Sequence, residues 1–177
     1  MTIRKNKVQK ACVSWLWALS AIFILTCIDQ AFKLLALKYL KDQPDIVLIP
    51  GVLKFRYLEN TGMAFGMLQD RIPVLIFICL IFFVFFIYFF SKVPKNRYYM
   101  PLILISLFMF AGALGNFTDR VLRGYVIDYI YFSLIDFPVF NLADVYVVCS
   151  CIALIFFIFF KYKDDQDFAF LKVHRKD

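Results

Sequence analysis

Four long runs of residues without a single charge constrain this chain more than any other feature. They are Ala11–Ile28, Ile72–Phe90, Tyr98–Thr118 and Val145–Phe160. A helix that crosses the hydrocarbon core of a bilayer needs about 20 residues at about 1.5 Å each. The second and third runs are long enough alone, whereas the first must continue past Asp29 to about Leu40 and the fourth must begin before Asp144. We therefore predict an all-α polytopic membrane protein, one domain with four transmembrane helices at about 11–40, 72–90, 98–118 and 142–161.

Composition argues against a disordered chain and against a soluble domain. Apolar residues make up 63% of the 177, charged residues 19%, and 23 are Phe, whereas a soluble domain is about half apolar and about a quarter charged. The net charge of +7 comes from bases between the apolar runs, where we expect them to contact membrane lipids and no nucleic acid. The five cysteines lie in or beside apolar runs and form no disulfide or zinc pattern, so we expect small buried apolar residues.

The distribution of Lys and Arg predicts the orientation in the membrane. Twelve of the twenty lie in the N-terminal segment, the 91–97 loop and a C-terminal part made of Lys161 and a tail of about 162–177. By the positive-inside rule these three parts are cytoplasmic, and the segments of about 41–71 and 119–141 face outward. The basic N-terminus is similar to the start of a cleaved signal peptide, but three further spans follow, so we expect the first helix to be retained. The four acids of the tail are expected to be solvated.

The first outward segment carries the signals of a β-hairpin. Apolar residues 46–49 and 52–58 flank the Pro50-Gly51 turn dipeptide, and the second of these stretches partly alternates in polarity. The stretch 125–132 is β-branched and aromatic and is expected to join the hairpin. We predict a small extracytoplasmic sheet that lies on the membrane surface.

Polar residues are concentrated at three helix ends that this topology brings to the same face of the membrane. They are Asp29 and Lys33 in the first helix, Asn116, Asp119 and Arg120 in the third, and Asn141 and Asp144 at the start of the fourth. Ionisable groups at this depth are costly, which favours a functional site. The structural alternative is an Asp29–Lys33 pair four residues apart, with Asn141 and Asp144 capping the fourth helix.

The surroundings of the acids suggest different protonation states. Asp119 has Arg120 and Arg123 within reach, so it is expected to be an ionised structural carboxylate. Asp128 has only apolar and aromatic neighbours in sequence and a reason to be protonated, whereas Asp144 lies at a helix N-terminus, which favours its ionised form. Two carboxyls with opposite preferences suit general acid and general base catalysis. Asp119 with Asp144 remains the alternative pair.

Other common catalytic patterns are missing from the sequence. No serine has a neighbouring histidine, because the lone His174 lies in the tail, and there is no HExxH, Gly-rich phosphate loop or cysteine pair. We therefore expect a carboxylate-based reaction with no metal and no cofactor. The alternatives are a small transporter or channel that uses Asp29, Asp119 and Asp144 as an ion or proton relay, and a membrane scaffold that binds partners through its outer sheet.

Four sequence blocks coincide with these polar positions. They are 29–33 (DQAFK), 60–66 (NTGMAFG), 112–129 (with GNFTDR and GYVIDY) and 140–144 (FNLAD). In this order and on four spans, the blocks resemble those of the lipoprotein signal peptidase family, also called signal peptidase II. The resemblance implies a catalytic aspartyl dyad at Asp128 and Asp144. It also implies substrate-binding or supporting roles for Asp29, Lys33, Asn60, Gly62, Asn116, Asp119, Arg120, Asn141 and Ala143.

The resemblance also implies a reaction and a location. We expect an aspartic endopeptidase of the bacterial cytoplasmic (inner) membrane, with its site at the extracytoplasmic face. Its substrates would be prolipoproteins that carry a diacylglyceryl-cysteine, and an aspartate-activated water would cleave the bond before that cysteine. We expect a monomer that binds inhibitors of the globomycin type.

Overall fold

The computed structural model describes residues 2–63 and 66–171, with side chains from residue 14 onward. Four α-helices run through Thr2–Tyr39 (α1), Ile72–Lys92 (α2), Met100–Arg123 (α3) and Leu142–Phe160 (α4). Three strands, Ile46–Ile49 (β1), Leu53–Asn60 (β2) and Val126–Phe132 (β3), form the sheet. The predicted fold class is confirmed, because all four helices contain a stretch that is long and apolar enough to cross a membrane.

The surface of the helix bundle is apolar, as expected for helices surrounded by lipid. Phe77 on α2 is 62% exposed and Val84 is 69% exposed, and between 11% and 39% of each candidate span is buried inside the protein. The expected burial of the cysteines is wrong, because Cys27, Cys149 and Cys151 are exposed on this apolar surface. A small apolar side chain is as well accommodated by lipid as by a core, so the sequence did not distinguish the two. The side chain of Cys12 lies outside the described residues.

Helix α3 is longer than the predicted span, which ended near residue 118. It continues to Arg123 because Gly124 follows in the left-handed conformation (φ 77°) and donates its N–H to the carbonyl of Arg120 at 3.1 Å. The last turn therefore holds Asp119 and Arg120 as helical residues. Helix α4 begins at Leu142, as predicted, with Asn141 as its N-cap.

The sheet is antiparallel, with the order β1-β2-β3. Both predictions for it are confirmed, since residues 46–49 pair with the strand after Pro50-Gly51 and β3 joins as the third strand. Ile127 and Tyr129 of β3 pack on Ala36 and Leu40 at the end of α1. This contact attaches the sheet to the end of the bundle where α3 ends and α4 begins.

The C-terminal segment packs on the bundle, although Asp164 and Asp165 are exposed, as expected for acids of a solvated tail. Tyr162 is 2% exposed, and its hydroxyl donates to the carbonyl of Tyr98 at 2.7 Å. A 3-10 helix, Asp165–Leu171, then places Asp167 so that it accepts from the Tyr98 hydroxyl at 2.7 Å. Aromatic contacts such as Tyr99 with Phe170 attach the segment to the bundle end opposite the sheet. Residues 172–177 lie outside the described part of the chain.

Candidate active site

All eleven site residues predicted from the sequence lie in one connected hydrogen-bonded network. They are Asp29, Lys33, Asn60, Gly62, Asn116, Asp119, Arg120, Asp128, Asn141, Ala143 and Asp144. The network lies at the junction of α1, α3, α4 and the sheet. Residues 64 and 65, which belong to one of the four sequence blocks, lie outside the described residues.

The start of α4 holds Asp144 through a capping box. The Asn141 side chain accepts from the Asp144 N–H at 3.1 Å, and the Asp144 carboxylate accepts from the Asn141 N–H at 3.0 Å. Its other oxygen accepts from the Asn116 amide at 2.8 Å. The predicted cap is therefore present. Two donors and the helix N-terminus together stabilise a negative charge on Asp144.

Asp128 lies in β3 and is 1% exposed. One carboxyl oxygen accepts from the Asn141 amide at 2.6 Å, and the other accepts from the Asn60 amide at 2.8 Å. Burial, followed by the nearby charge of Asp144, raises the pKa of Asp128 to about 7, although both amides lower it. As predicted, no cation forms a salt bridge with Asp128 among the described residues.

Asn141 connects the two acids. Its side-chain nitrogen donates to Asp128, while its side-chain oxygen and its backbone N–H bind the backbone and the carboxylate of Asp144. Both carboxyls therefore contact the same residue at the junction of β3 and α4. The charge of Asp144 is thereby near enough to raise the pKa of Asp128.

Of the two cations that the sequence suggested for Asp119, only Arg123 pairs with it, because the Arg120 guanidinium donates to the Gly62 carbonyl instead. Arg123 approaches one oxygen at 2.6 Å, and Lys33 of α1 approaches the other at 3.0 Å. The second oxygen also accepts from the Ile127 N–H at 3.2 Å, which holds the start of β3. These partners stabilise an ionised structural carboxylate and favour Asp128 over Asp119 as the companion of Asp144.

Asp29 attaches the first helix to the fourth. One of its oxygens accepts from the Ala143 N–H at 3.0 Å, in the first turn of α4, and the other pairs with Lys33 at 3.0 Å. A Cβ on Gly115 would lie 3.1 Å from the Asp29 carboxyl carbon and closer still to its oxygen. A Cβ on Gly112 would meet the Ala143 carbonyl and approach Val147 at 2.8 Å. Glycine at these positions lets α3 approach both helices.

The loop after β2 contacts the site through Arg120. The Arg120 guanidinium donates to the Gly62 carbonyl at 2.7 Å, and the Gly62 N–H donates to the Asn60 side chain at 2.9 Å. Asn60 in turn binds Asp128. The Arg120 Nε is buried and has no hydrogen-bond partner in the described structure, so a donor is available on this side of the site.

Sequence reasoning missed the roles of Gly112, Gly115 and Gln30. Gln30 donates to both Asp29 and the Gly115 carbonyl at 3.2 Å. The small residues of the GALG stretch were a usable signal, because close helix contacts in membranes favour glycine.

Comparison with known proteins agrees with this geometry. The family model described as Signal peptidase (SPase) II matches residues 21–160. The chain belongs to the signal peptidase II family. This membership identifies an aspartic-type signal peptidase, confirms the resemblance seen in the sequence blocks and does not support the transporter or scaffold alternatives.

Individual relatives cover most of the chain. The lipoprotein signal peptidase of Clostridium tetani is 40% identical over 134 residues, which is 74% of this chain and 85% of the relative. That of Caldicellulosiruptor bescii is 35% identical over 160 residues, 90% of this chain and 97% of the relative. A bacterial membrane enzyme solved by the in meso method at 2.3 Å resolution has a TM-score of 0.74 and 30% identity, covering 84% of this chain and 92% of that one.

Proposed function

We propose that this signal peptidase II removes signal peptides from bacterial prolipoproteins by cleaving the peptide bond before a diacylglyceryl-modified cysteine. The relatives are named lipoprotein signal peptidases. The observation that carries the mechanism is the contact of Asp128 and Asp144 with the same asparagine, at the end of a bundle whose outer surface is apolar. A substrate with a membrane-embedded signal peptide and lipid-anchored acyl chains would present its scissile bond at this level.

In the proposed reaction, ionised Asp144 takes a proton from a water molecule, and the water oxygen attacks the carbonyl carbon. Protonated Asp128 donates its proton to the carbonyl oxygen, which gives a neutral tetrahedral intermediate. The intermediate collapses as its carbon–nitrogen bond breaks, with the proton from Asp144 passing to the leaving amine and the hydroxyl proton returning to Asp128. Asn60 and Arg120 are placed to bind the substrate backbone, since both have amide or guanidinium groups beside the acids.

The proposal includes the membrane context. The protein resides in the bacterial cytoplasmic membrane as a monomer, with both termini cytoplasmic and the site at the extracytoplasmic face. The excess of Lys and Arg in the N-terminal, 91–97 and C-terminal segments supports this orientation. A globomycin-type inhibitor would occupy the same site as the substrate.

The test is cleavage of a diacylglyceryl-modified prolipoprotein by the full chain in lipid vesicles. Asp128→Asn and Asp144→Asn each keep the side-chain shape and are expected to abolish cleavage. Asp136→Asn is the matched control, because the Asp136 side chain is exposed in the outer segment, where it accepts a hydrogen bond from the Tyr131 hydroxyl. Cleavage retained in either dyad variant would refute the mechanism, and equal cleavage of the unmodified prolipoprotein would refute the proposed substrate.

A further inference from the structure

Lys33 is a completely buried lysine with three partners. Its ammonium group lies 3.0 Å from the Asp29 carboxylate, 3.0 Å from the Asp119 carboxylate and 2.8 Å from the side-chain oxygen of Asn116. Both acids and the lysine are 0% exposed. With Arg123 on the other oxygen of Asp119, the cluster contains two negative and two positive groups and is balanced in charge.

The third partner of Lys33 gives this cluster a connection to the dyad. A lysine ammonium has only donors, so the Asn116 oxygen must face it. That oxygen also accepts from the Asn141 amide at 3.1 Å. The Asn116 nitrogen is therefore directed at Asp144, to which it donates at 2.8 Å.

The opposite orientation of the Asn116 amide would favour the protonated form of Asp144. Its oxygen would then face the Asp144 carboxyl, and that contact is favourable only if the carboxyl is protonated and donates. Its nitrogen would face the Lys33 ammonium, and two donors would meet. Lys33, with the Asn141 amide as a second donor to the same oxygen, thus opposes the orientation that would favour a protonated Asp144.

We propose that Lys33 is a positioning residue that keeps Asp144 ionised by holding the amide of Asn116 in one orientation. The inference rests on the proposed function, because it assigns Lys33 a task in the same reaction. Lys33 itself contacts neither carboxyl of the dyad in the described hydrogen bonds and ion pairs. Its charge lowers the pKa of Asp128, whereas its action on Asp144 passes through Asn116.

Other charged and titratable groups surround Asp144, so the test must keep the charge of the cluster balanced. Asp128 and Tyr129 from β3 and Arg120 from α3 interact with the charge of Asp144. Asp119 of α3 and Asp29 of α1 belong to the adjoining cluster around Lys33. Replacing Lys33 alone would leave Asp29 and Asp119 with a single cation. The double variant Asp29→Asn with Lys33→Met removes one charge of each sign and keeps the cluster balanced.

The measurement is the pH dependence of kcat/KM for cleavage of the lipid-modified prolipoprotein in vesicles. In the double variant the acidic limb is expected to move to higher pH by about one unit, the size of one lost charge-assisted hydrogen bond. Lys38→Met is the control for removal of a positive charge from α1, since Lys38 is exposed and contacts the Tyr39 ring. Its profile should match that of the unmodified chain.

An acidic limb that stays in place in the folded double variant would overturn the proposal, because a merely structural lysine lowers the rate equally at every pH. If the double variant does not fold, Asn116→Ala supplies the test, since it leaves all four charges of the cluster intact. An unshifted limb would overturn the proposal, because Lys33 acts on Asp144 through this amide. An upward shift of the variant's residual activity would support the step from Asn116 to Asp144 on which the proposal depends.

Failure of this inference can be told apart from failure of the proposed function. If Asp128→Asn and Asp144→Asn are both inactive and the acidic limb is unshifted, the dyad stands and only the role of Lys33 is wrong. If both asparagine variants cleave the substrate, the proposed mechanism fails, and the inference about Lys33 fails with it.

Discussion

Replacing Gly115 by alanine tests how tightly α1 and α3 hold the site. A Cβ at this position would lie 3.1 Å from the Asp29 carboxyl carbon, nearer to its oxygen, and 3.4 Å from the Ala143 Cβ. The carboxylate must move by about 1 Å to restore ordinary contact. It cannot do so without lengthening its 3.0 Å bonds to the Ala143 N–H and to Lys33.

The sign of the stability change distinguishes this reasoning from helix propensity alone. Glycine to alanine inside a helix ordinarily stabilises by about 1 kcal/mol. Overpacking costs about 1–3 kcal/mol, and loss of a hydrogen bond to a charged group costs about 1.5–3 kcal/mol. We therefore expect Gly115→Ala to lower the free energy of unfolding by about 2–4 kcal/mol. Because Asp29 holds the first turn of α4, we also expect kcat/KM to fall about 100-fold.

Unfolding in detergent and prolipoprotein cleavage in vesicles measure the two effects. Gly124→Ala is the matched control at the end of the same helix, where no atom lies within 4 Å of the added Cβ and only the φ of 77° opposes it. It should cost about 1–2 kcal/mol and leave the cleavage rate nearly unchanged. A Gly115→Ala protein with unchanged or increased stability and full activity would refute the steric argument.

Three further changes have distinct expected outcomes. Asn60→Ala removes a hydrogen-bond donor from Asp128, so the pKa of Asp128 should rise. The basic limb of the pH–rate profile should then move to higher pH, and a basic limb that moves to lower pH would contradict this. Tyr162→Phe keeps the buried ring but leaves the Tyr98 carbonyl without its donor. This change should lower the free energy of unfolding by about 1 kcal/mol and leave cleavage unchanged. A selective loss of cleavage would be inconsistent with the position of Tyr162 at the bundle end opposite the site. Arg56→Gln removes two hydrogen bonds to Asp45. Because the Arg56 side chain is 42% exposed, the free energy of unfolding should change by less than about 1 kcal/mol. A loss several times larger would contradict the assignment of Arg56 and Asp45 as a surface ion pair.

The parts of the fold that follow from local pattern were predictable from the sequence. Uncharged runs of sufficient length gave the four spans, and Pro50-Gly51 between apolar stretches gave the hairpin. The convergence of Asp29, Asn116 and Asp144 followed from topology, because alternating spans place those helix ends on one side. The cap formed by Asn141 was readable from residue type and position.

The parts that depend on partners distant in sequence were not predictable. Lys33 was expected to pair with Asp29 four residues away, but its contacts with Asn116 and Asp119 require the packing of α1 on α3. The C-terminal segment was expected to be solvated because it is charged, yet its aromatic residues, including Tyr162, pack on the bundle end. Hydropathy alone also did not show whether a cysteine faces lipid or protein.

The central claim is that Asp128 and Asp144 hold one proton between them during the reaction. The most direct measurement is the pH dependence of kcat/KM for the lipid-modified prolipoprotein, from about pH 4 to pH 9. The account predicts a bell-shaped profile, in which the rate falls at acid pH as Asp144 gains a proton and falls above about pH 7 as Asp128 loses its own. A rate that stays constant or rises from pH 7 to 9 would contradict the account.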